Sequence, residues 1–216
     1  FQWNFPIFFS PNNEKKLYAA SNHLHVTENE GQSWKIISPD LTRNDPKTLK
    51  SSGGPITQDN TGVEYYGTIF AATESPFEED LIWTGSDDGL VHISKNNGET
   101  WNNVTPKKMP EWMMINCIEV DPFNKGGAYI VGTKYKTGDY QPYIYKTENY
   151  GKSWKQITHV NDEFYSKIAT CTSEKRWVTT TDGKKMLVWV ILPPNFELSD
   201  MLYILAVFLN PISLIL

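Results

Sequence analysis

The amino-acid sequence predicts an all-β protein that is built from repeated units of short antiparallel strands. Its composition favours this class, because aromatic residues make up 13% of the 216 residues and the chain contains 14 glycines and 13 prolines. Aromatic side chains favour strands, whereas glycine and proline favour the turns between them. A polar octapeptide that occurs three times along the chain indicates that the strands are arranged in similar units.

The octapeptide has the pattern Ser/Thr-x-Asn-x-Gly-x-Ser/Thr-Trp, and its copies occupy residues 27–34, 94–101 and 147–154. Agreement at so many positions is beyond chance, so we interpret the three segments as copies of one structural element. The matching residues are Thr27, Asn29, Gly31, Ser33, Trp34, Ser94, Asn96, Gly98, Thr100, Trp101, Thr147, Asn149, Gly151, Ser153 and Trp154.

The residue types of the octapeptide are those of a hairpin turn. Asparagine bonds the local backbone, glycine supplies a positive φ, and the Ser and Thr hydroxyls tie the turn to its own backbone. The tryptophan opens the next strand, where its ring is expected to pack against the hairpin and its N–H to reach a backbone carbonyl. We therefore predict that these residues are structural and do not contact a ligand.

Each octapeptide belongs to a longer repeat. Two hydrophobic runs precede it, one further run lies upstream of a turn that contains Pro11, Pro76 or Pro122, and a last run starts at the tryptophan. One repeat therefore comprises four short strands, and residues 1–160 hold three such repeats. A closed propeller typically has four to eight blades, so we predict an incomplete β-propeller with three four-stranded antiparallel blades and a remnant.

The octapeptide resembles the Asp-box, or BNR repeat, of β-propeller proteins such as sialidases, sortilins and photosystem assembly factors. Asn29, Asn96 and Asn149 stand where that repeat usually has aspartate. The blocks QWNFPIFFSPNN, SWKIISPDLTRNDP and GGPITQDNTGVEYYGTIFA are similar to bacterial sortilin-like propeller proteins that are often labelled glycosyl hydrolases. This resemblance covers residues 1–160 and implies a β-propeller in an extracellular or periplasmic protein.

Residues 161–216 are expected to begin a fourth blade, but they contain no further octapeptide and end in an apolar tail. A membrane helix needs about 20 apolar residues, and the pair Asn210-Pro211 interrupts this run. Three interpretations stay open: a membrane-spanning or re-entrant segment, a buried pair of blade strands, and a truncated or frame-shifted end of the reading frame.

Charge and metal-ligating residues exclude several classes of function. The net charge of -5 offers no field to attract nucleic acid or an anionic membrane. His25 and His92 share one repeat position with Tyr145, so packing between blades explains them better than a metal site that includes His23. Cys117 follows a hydrophobic alternation and is expected to be buried. We predict no cofactor and no metal.

The sequence also shows few of the groups of residues that glycan-cleaving enzymes use for catalysis. Sialidases hold the substrate carboxylate with three arginines, and this chain has only Arg43 and Arg176. A glycosidase needs two carboxyl groups about 5 to 9.5 Å apart. Adjacent acids such as Asp87 and Asp88 point to opposite faces of an extended chain, so we expect them to be solvated turn residues. No catalytic residue is assigned.

The long polar segment 51–66, within the insertion between the first and second repeats, is the best candidate for recognition, because long loops on rigid scaffolds frequently carry binding residues. Its candidate ligand-binding residues offer hydrogen bonds and aromatic surface for a peptide or a sugar, and they are Asp59, Asn60, Glu64, Tyr65 and Tyr66. The alternative is a loop that only covers a junction between blades.

Two functions follow from these expectations. The first is a non-catalytic, sortilin-like propeller fragment that binds protein or peptide, or acts as a scaffold, in a larger secreted or periplasmic protein. The second is a fragment of a BNR-repeat glycoside hydrolase that acts on a polysaccharide. Under either function, the expected partners of the chain are a peptide, protein or glycan ligand and the remaining blades of a longer chain. Nucleic acid and membranes are not expected as partners.

Overall fold

The computed structural model describes residues 1–61, 65–159, 162–169 and 171–195, together with the backbone of residues 205–207. The chain divides into two units, Phe1–His159 and Val160–Leu216. The first unit contains three sheets of four antiparallel strands each, which we call blades one, two and three.

The strands of each blade follow one another in chain order. Blade one consists of β1 (Ile7–Phe9), β2 (Leu17–Ala20), β3 (Leu24–Thr27) and β4 (Lys35–Ile36). Blade two consists of β5 (Ile69–Glu74), β6 (Ile82–Ser86), β7 (Val91–Ser94) and β8 (Asn102–Asn103). Blade three consists of β9 (Met114–Val120), β10 (Ala128–Lys134), β11 (Asp139–Thr147) and β12 (Lys155–Gln156), with a 3-10 turn at Tyr135–Thr137.

Successive four-stranded blades make the first unit an incomplete β-propeller, which confirms the predicted fold class. Blade two has a neighbour on each face, because successive residues of a strand point to opposite sides of its sheet. Ile82 of β6 packs in a core with Tyr18 and Leu24 of blade one, whereas the adjacent Trp83 packs in a second core with Ile115 and Ile130 of blade three. The apolar cores therefore lie at the junctions between blades.

The first strand of blade two, β5, and the first strand of blade three, β9, each contain a β-bulge. In β9 the partners of Val131 and Gly132 are Cys117 and Ile115, so Asn116 is the extra residue. A bulge shifts the alternation of side chains by one position. For this reason Ile115 and Ile118 are buried while Cys117 is exposed, and the predicted burial of Cys117 is wrong.

The second unit contains the short helix α1 (Asp162–Tyr165) and an antiparallel sheet of β13 (Thr172–Thr179), β14 (Lys185–Leu192) and β15 (Leu205–Val207). Alternate residues of β14 form a small cluster of Val188, Val190 and Leu192, whereas β13 is exposed along its length. The assignment of this second unit as the start of a fourth blade stays a prediction.

The apolar tail lies almost wholly outside the described residues, so all three interpretations of it stay open. Among the residues that the structure does describe, no helix is long and apolar enough to cross a membrane.

Candidate functional site

The three octapeptides form the same hydrogen-bonded turn. In the third copy, Thr147 Oγ1 accepts the backbone N–H of Gly151 at 3.0 Å, and Asn149 Oδ1 accepts the backbone N–H of Ser153 at 2.9 Å. The corresponding pairs of the other copies are Thr27 with Gly31, Asn29 with Ser33, Ser94 with Gly98 and Asn96 with Thr100, at 3.1, 3.0, 2.8 and 3.0 Å. The predicted use of asparagine and hydroxyl side chains to hold the turn is confirmed.

The glycine of each copy adopts the left-handed conformation, as predicted. The φ angles of Gly31, Gly98 and Gly151 are 83°, 86° and 75°. The preceding residue is also left-handed, including Tyr150 with a φ of 58°. Such a conformation is uncommon for an aromatic residue, so the surrounding bonds must hold it.

Two of the three octapeptide tryptophans link neighbouring blades. Trp101 Nε1 donates to the carbonyl oxygen of Ile37 at 2.9 Å, and Trp154 Nε1 donates to that of Val104 at 2.6 Å. Ile37 and Val104 each follow the tryptophan of the preceding blade by three residues. The expected N–H bond is confirmed for these two rings, and each has an acceptor in the preceding blade. Trp101 Nε1 also donates to the carbonyl oxygen of Gly98 in its own turn, at 3.1 Å. The expected burial is wrong for Trp34, which is 43% exposed.

The long segment between blades one and two is fastened at both ends to the turn that joins β6 to β7. Near its start, the backbone N–H of Arg43 donates to Asp88 Oδ2 and the Arg43 side-chain Nε donates to the Asp88 carbonyl oxygen, both at 2.7 Å. At its end, Asp87 Oδ1 accepts the backbone N–H groups of Gly67 and Thr68 at 2.9 and 3.0 Å. Two adjacent carboxylates thus anchor the base of the loop.

Asp87 and Asp88 are buried, with 0% and 1% exposure, so the expectation that they are solvated is wrong. The sequence pattern of a polar turn was correct, but the loop folds over that turn and removes it from water. Burial raises the pKa of both carboxyl groups above the usual range, and hydrogen bonds from Thr68 and Ser86 oppose that rise. Their oxygen atoms are occupied by bonds to the protein itself.

Four cationic and aromatic side chains come together at the base of the loop, and we call Arg43, Tyr66, Trp112 and Lys136 the cation–aromatic cluster. The rings of Tyr66 and Trp112 meet edge to face at 5.6 Å. Arg43 lies 5.1 Å from the centre of the Trp112 ring, and Lys136 lies 5.0 Å from that of Tyr66. Burial raises the pKa of the Tyr66 hydroxyl. Of these residues, sequence reasoning selected only Tyr66 for the site.

Trp112 has a further unusual property. Its φ is 61°, in the left-handed region that a bulky residue seldom adopts. Backbone strain of this kind concentrates at binding and switch sites, where surrounding contacts maintain it. Trp112 is one of five tryptophans outside the three octapeptides, so its position in the sequence gave no signal that it belongs to the site.

The other predicted site residues occupy different parts of the loop. Asp59 Oδ1 accepts the N–H and the hydroxyl of Thr61 at 2.8 and 2.5 Å, so Asp59 shapes the far end of the loop. Asn60 is exposed there and Tyr65 is half-buried beside the cluster residue Tyr66. Glu64 lies outside the described residues. The ligand-binding role of all five remains a proposal.

Three of the histidines have separate environments in the structure. His23 Nδ1 lies 3.1 Å from the carbonyl oxygen of Ser38, and His25 Nε2 lies 2.8 Å from the hydroxyl of Ser21. Burial lowers the pKa of His92 to about 4. Within the part of the chain that the structure describes, no three His, Cys, Asp or Glu side chains form a group that could hold a metal ion.

Comparisons with known proteins give three informative similarities. The chain is 31% identical over 161 residues to the oligoxyloglucan-reducing end-specific xyloglucanase of Emericella nidulans, which covers 70% of this chain and 17% of that protein. It is 46% identical over 43 residues to dipeptidyl-peptidase 5 of Porphyromonas endodontalis, covering 20% of this chain and 6% of that protein. The solved GH74 enzyme of Niastella koreensis aligns with a TM-score of 0.49 and 13% identity, over 88% of this chain and 28% of that one.

No family model matches the sequence. The chain spans less than a fifth of the length of the curated relatives named above, at 17% and 6%. The chain is similar over 161 residues to part of a xyloglucanase, and the order of strands in its sheets makes the first unit an incomplete β-propeller.

Proposed function

We propose that this chain is a non-catalytic, sortilin-like part of a longer β-propeller, and that it binds a peptide or protein segment at the loop between blades one and two. The three octapeptides are then Asp-box, or BNR, turns whose role is architectural. The observation that carries the proposal is the use of Asp87 and Asp88 as buried anchors of the loop.

A glycosidase would need a pair of carboxyl groups that face the substrate from opposite sides of the scissile bond. Asp87 and Asp88 are the acidic pair beside the loop, but they are adjacent in the chain and buried. Asp87 accepts hydrogen bonds from Gly67 and Thr68, and Asp88 accepts them from Arg43 and the Ser86 hydroxyl. Carboxylates in this arrangement hold a loop in place and are poorly suited to donate a proton to a sugar.

The groups that remain for a ligand are aromatic and cationic. The faces of Tyr66 and Trp112 suit apolar or aromatic side chains of a peptide, and Arg43 and Lys136 suit its carboxylates and carbonyl oxygens. Asp59, Asn60, Glu64 and Tyr65 would add hydrogen bonds from the same loop. The contacts within the cation–aromatic cluster position its side chains before a ligand binds, which lowers the entropic cost of binding.

The exposed face of blade one supports the proposed membership of a longer propeller. Trp34 is 43% exposed, and Ile7, Phe9 and Ile36 are 57%, 63% and 57% exposed. Another blade packed on this face would cover these side chains, as blades one and two partly cover the rings of Trp101 and Trp154. The proposed location of the parent protein is extracellular or periplasmic, which rests on the resemblance to sortilin-like proteins.

The alternative is a fragment of a BNR-repeat glycoside hydrolase. Its support is the 31% identity over 161 residues to a xyloglucanase. In that case the polysaccharide would lie across the same loop, and the acid and base would include at least one carboxyl group other than Asp87 and Asp88.

A peptide-selection experiment separates these functions. The 216-residue chain is used to select binders from a phage-displayed library of random peptides, and the affinity of the enriched peptides is then measured for two variants. Trp112→Ala is expected to weaken binding at least tenfold. Trp3→Ala is the matched control, since Trp3 is 68% exposed and lies outside the cluster, and it is expected to leave binding unchanged.

Two results contradict the proposal. The first is enrichment of peptides that bind Trp112→Ala as tightly as the unmodified chain. The second is release of reducing ends from xyloglucan by the chain, with loss of that release in Asp87→Asn or Asp88→Asn variants that still unfold cooperatively.

A further inference from the structure

A basic cleft lies between the outer strands of blades two and three. Its volume is about 780 Å³ and it shares no residue with the cation–aromatic cluster. Four of its lining residues are lysines and three are aromatic, namely Lys95, Lys107, Lys108, Lys152, Tyr145, Tyr150 and Trp154. No aspartate or glutamate is among the described residues that line it.

This concentration of positive charge contrasts with the net charge of -5 of the whole chain. None of the four lysines forms an ion pair within the described residues, although other lysines do, such as Lys16 with Asp80 and Lys146 with Glu148. Like charges that share a cleft repel one another, and an anionic ligand relieves that repulsion. The cleft is therefore electrostatically complementary to a negatively charged partner.

The walls of the cleft are held in position before any ligand binds. The Lys95 ammonium lies 3.3 Å from the centre of the Tyr150 ring, and the Tyr150 hydroxyl donates to Glu78 Oε2 at 2.9 Å. Trp154 is fixed by its bond to the Val104 carbonyl oxygen. A charge that is already positioned loses little side-chain entropy on binding.

The cleft also includes the outer edge of blade two. Val104 N–H donates to the Val91 carbonyl oxygen at 2.8 Å, and His92 is the partner of Asn103 in the ladder. Bonded and non-bonded pairs alternate along an antiparallel ladder, so the backbone N–H and C=O of Asn103 point away from β7. An edge of this kind accepts an additional extended strand.

We propose that this cleft binds an acidic peptide segment of a partner protein in an extended conformation. The peptide backbone pairs with β8 at Asn103, and its Asp or Glu side chains reach Lys95, Lys107, Lys108 and Lys152. A strand edge favours a peptide over an acidic polysaccharide, which has no backbone amides to pair. Four lysines on an acidic chain are also a weak match for the phosphate density of a nucleic acid.

The test uses a fluorescein-labelled octaglutamate peptide and fluorescence anisotropy with the 216-residue chain. Saturable binding is expected, and it should weaken when salt rises from about 50 to 200 mM because the contacts are ionic. The double variant Lys107→Glu, Lys108→Glu should weaken binding at least tenfold. The matched control is Lys15→Glu, Lys125→Glu, which makes the same change of charge at exposed positions outside both the cleft and the loop between blades one and two, and it should change affinity less than twofold.

A second peptide tests the strand pairing without altering the protein. Octaglutamate that is N-methylated at alternate residues keeps its charge but loses half of its backbone donors, so it should bind at least fivefold more weakly. The proposal is overturned by equal effects of the two lysine pairs, by equal binding of the two peptides, or by absence of saturable binding at 50 mM salt. Tighter binding of oligogalacturonate or oligothymidylate of equal charge also overturns it, in favour of a polysaccharide or a nucleic acid.

Discussion

The first and second octapeptides have the same pattern and the same side-chain bonds to the backbone N–H groups of the turn, but their surroundings differ. A Cβ atom added to Gly31 would meet nothing closer than 3.8 Å, whereas one added to Gly98 would lie 2.3 Å from the carbonyl oxygen of Ile37. Likewise Trp34 is 43% exposed while Trp101 bonds to that same carbonyl. The turn is therefore formed by local residues, whereas its glycine and tryptophan become indispensable only where another blade is packed against them.

The surroundings of the third octapeptide resemble those of the second. A Cβ at Gly151 would lie 2.6 Å from Val104 Cβ, and Trp154 bonds to the Val104 carbonyl oxygen. In blades one and two, the residue that directly follows the outer strand, Ile37 or Val104, thus contacts both the glycine and the tryptophan of the next blade. The comparison predicts that equivalent substitutions have unequal costs in different copies of the octapeptide.

The largest difference is expected for the tryptophans. Trp101→Ala removes an aromatic ring and its bond to Ile37 from the junction of blades one and two, and it should lower the free energy of unfolding by about 3 to 5 kcal/mol. Trp34→Ala removes a ring that is 43% exposed and should cost about 1 kcal/mol or less. Denaturant unfolding of the two variants measures the difference, and equal costs would contradict the inter-blade role.

The glycines are expected to differ by a smaller amount. Gly98→Ala places a methyl group against the backbone of Ile37 and also strains a left-handed residue, which together should cost about 3 kcal/mol. Gly31→Ala meets only the conformational strain, about 1 to 2 kcal/mol. Thermal unfolding at a common scan rate compares them. A larger loss for Gly31→Ala would show that packing against Ile37 is unimportant.

The histidines that share one repeat position provide a pH test. Burial lowers the pKa of His92 to about 4, below the ordinary 6.5 of the unfolded chain. Stability from neutral His92 is present above pH 6.5 and is lost as the pH falls toward 4, with a limiting slope of about 1.4 kcal/mol per pH unit. Burial lowers the pKa of His25 as well, but His25 has a hydroxyl partner in Ser21, so His92→Phe should flatten this part of the profile more than His25→Phe. Identical profiles for the two variants would refute the difference in environment.

The asparagines should show no difference between copies. Asn29, Asn96 and Asn149 each accept a backbone N–H within their own turn, so substitution of each by alanine should cost about 1 kcal/mol. Urea unfolding of the three single variants measures this. A spread of more than about 1 kcal/mol among them would mean that the turn also depends on its neighbours.

The sequence was sufficient for features that depend on nearby residues. The octapeptide turns, with Asn149 and Gly151 in their predicted conformations, are held by bonds that span at most four positions. The four-strand repeat was predictable for the same reason, since each strand pairs with its neighbour in the chain. Periodicity failed at Cys117, where a bulge at Asn116 reverses the alternation.

The candidate site was less predictable because it depends on contacts between distant segments. The burial of Asp87 and Asp88 arises when residues 43 and 67–68 fold onto their turn. The position of Trp112 against Tyr66 depends on the same folding. A single sequence identifies such residues only as a polar turn and an unassigned aromatic, since it contains no information on which loop will cover them.

Hydrogen exchange of the three indole N–H groups tests the central claim most directly. In a ¹⁵N-labelled chain, the Nε1–H signals of Trp101 and Trp154 should exchange slowly, because their protons are bound to the carbonyl oxygens of Ile37 and Val104. The Nε1–H of Trp34 should exchange faster by at least tenfold. Equal exchange of all three would contradict the account, because the second and third tryptophans would then lack the protection that a preceding blade provides.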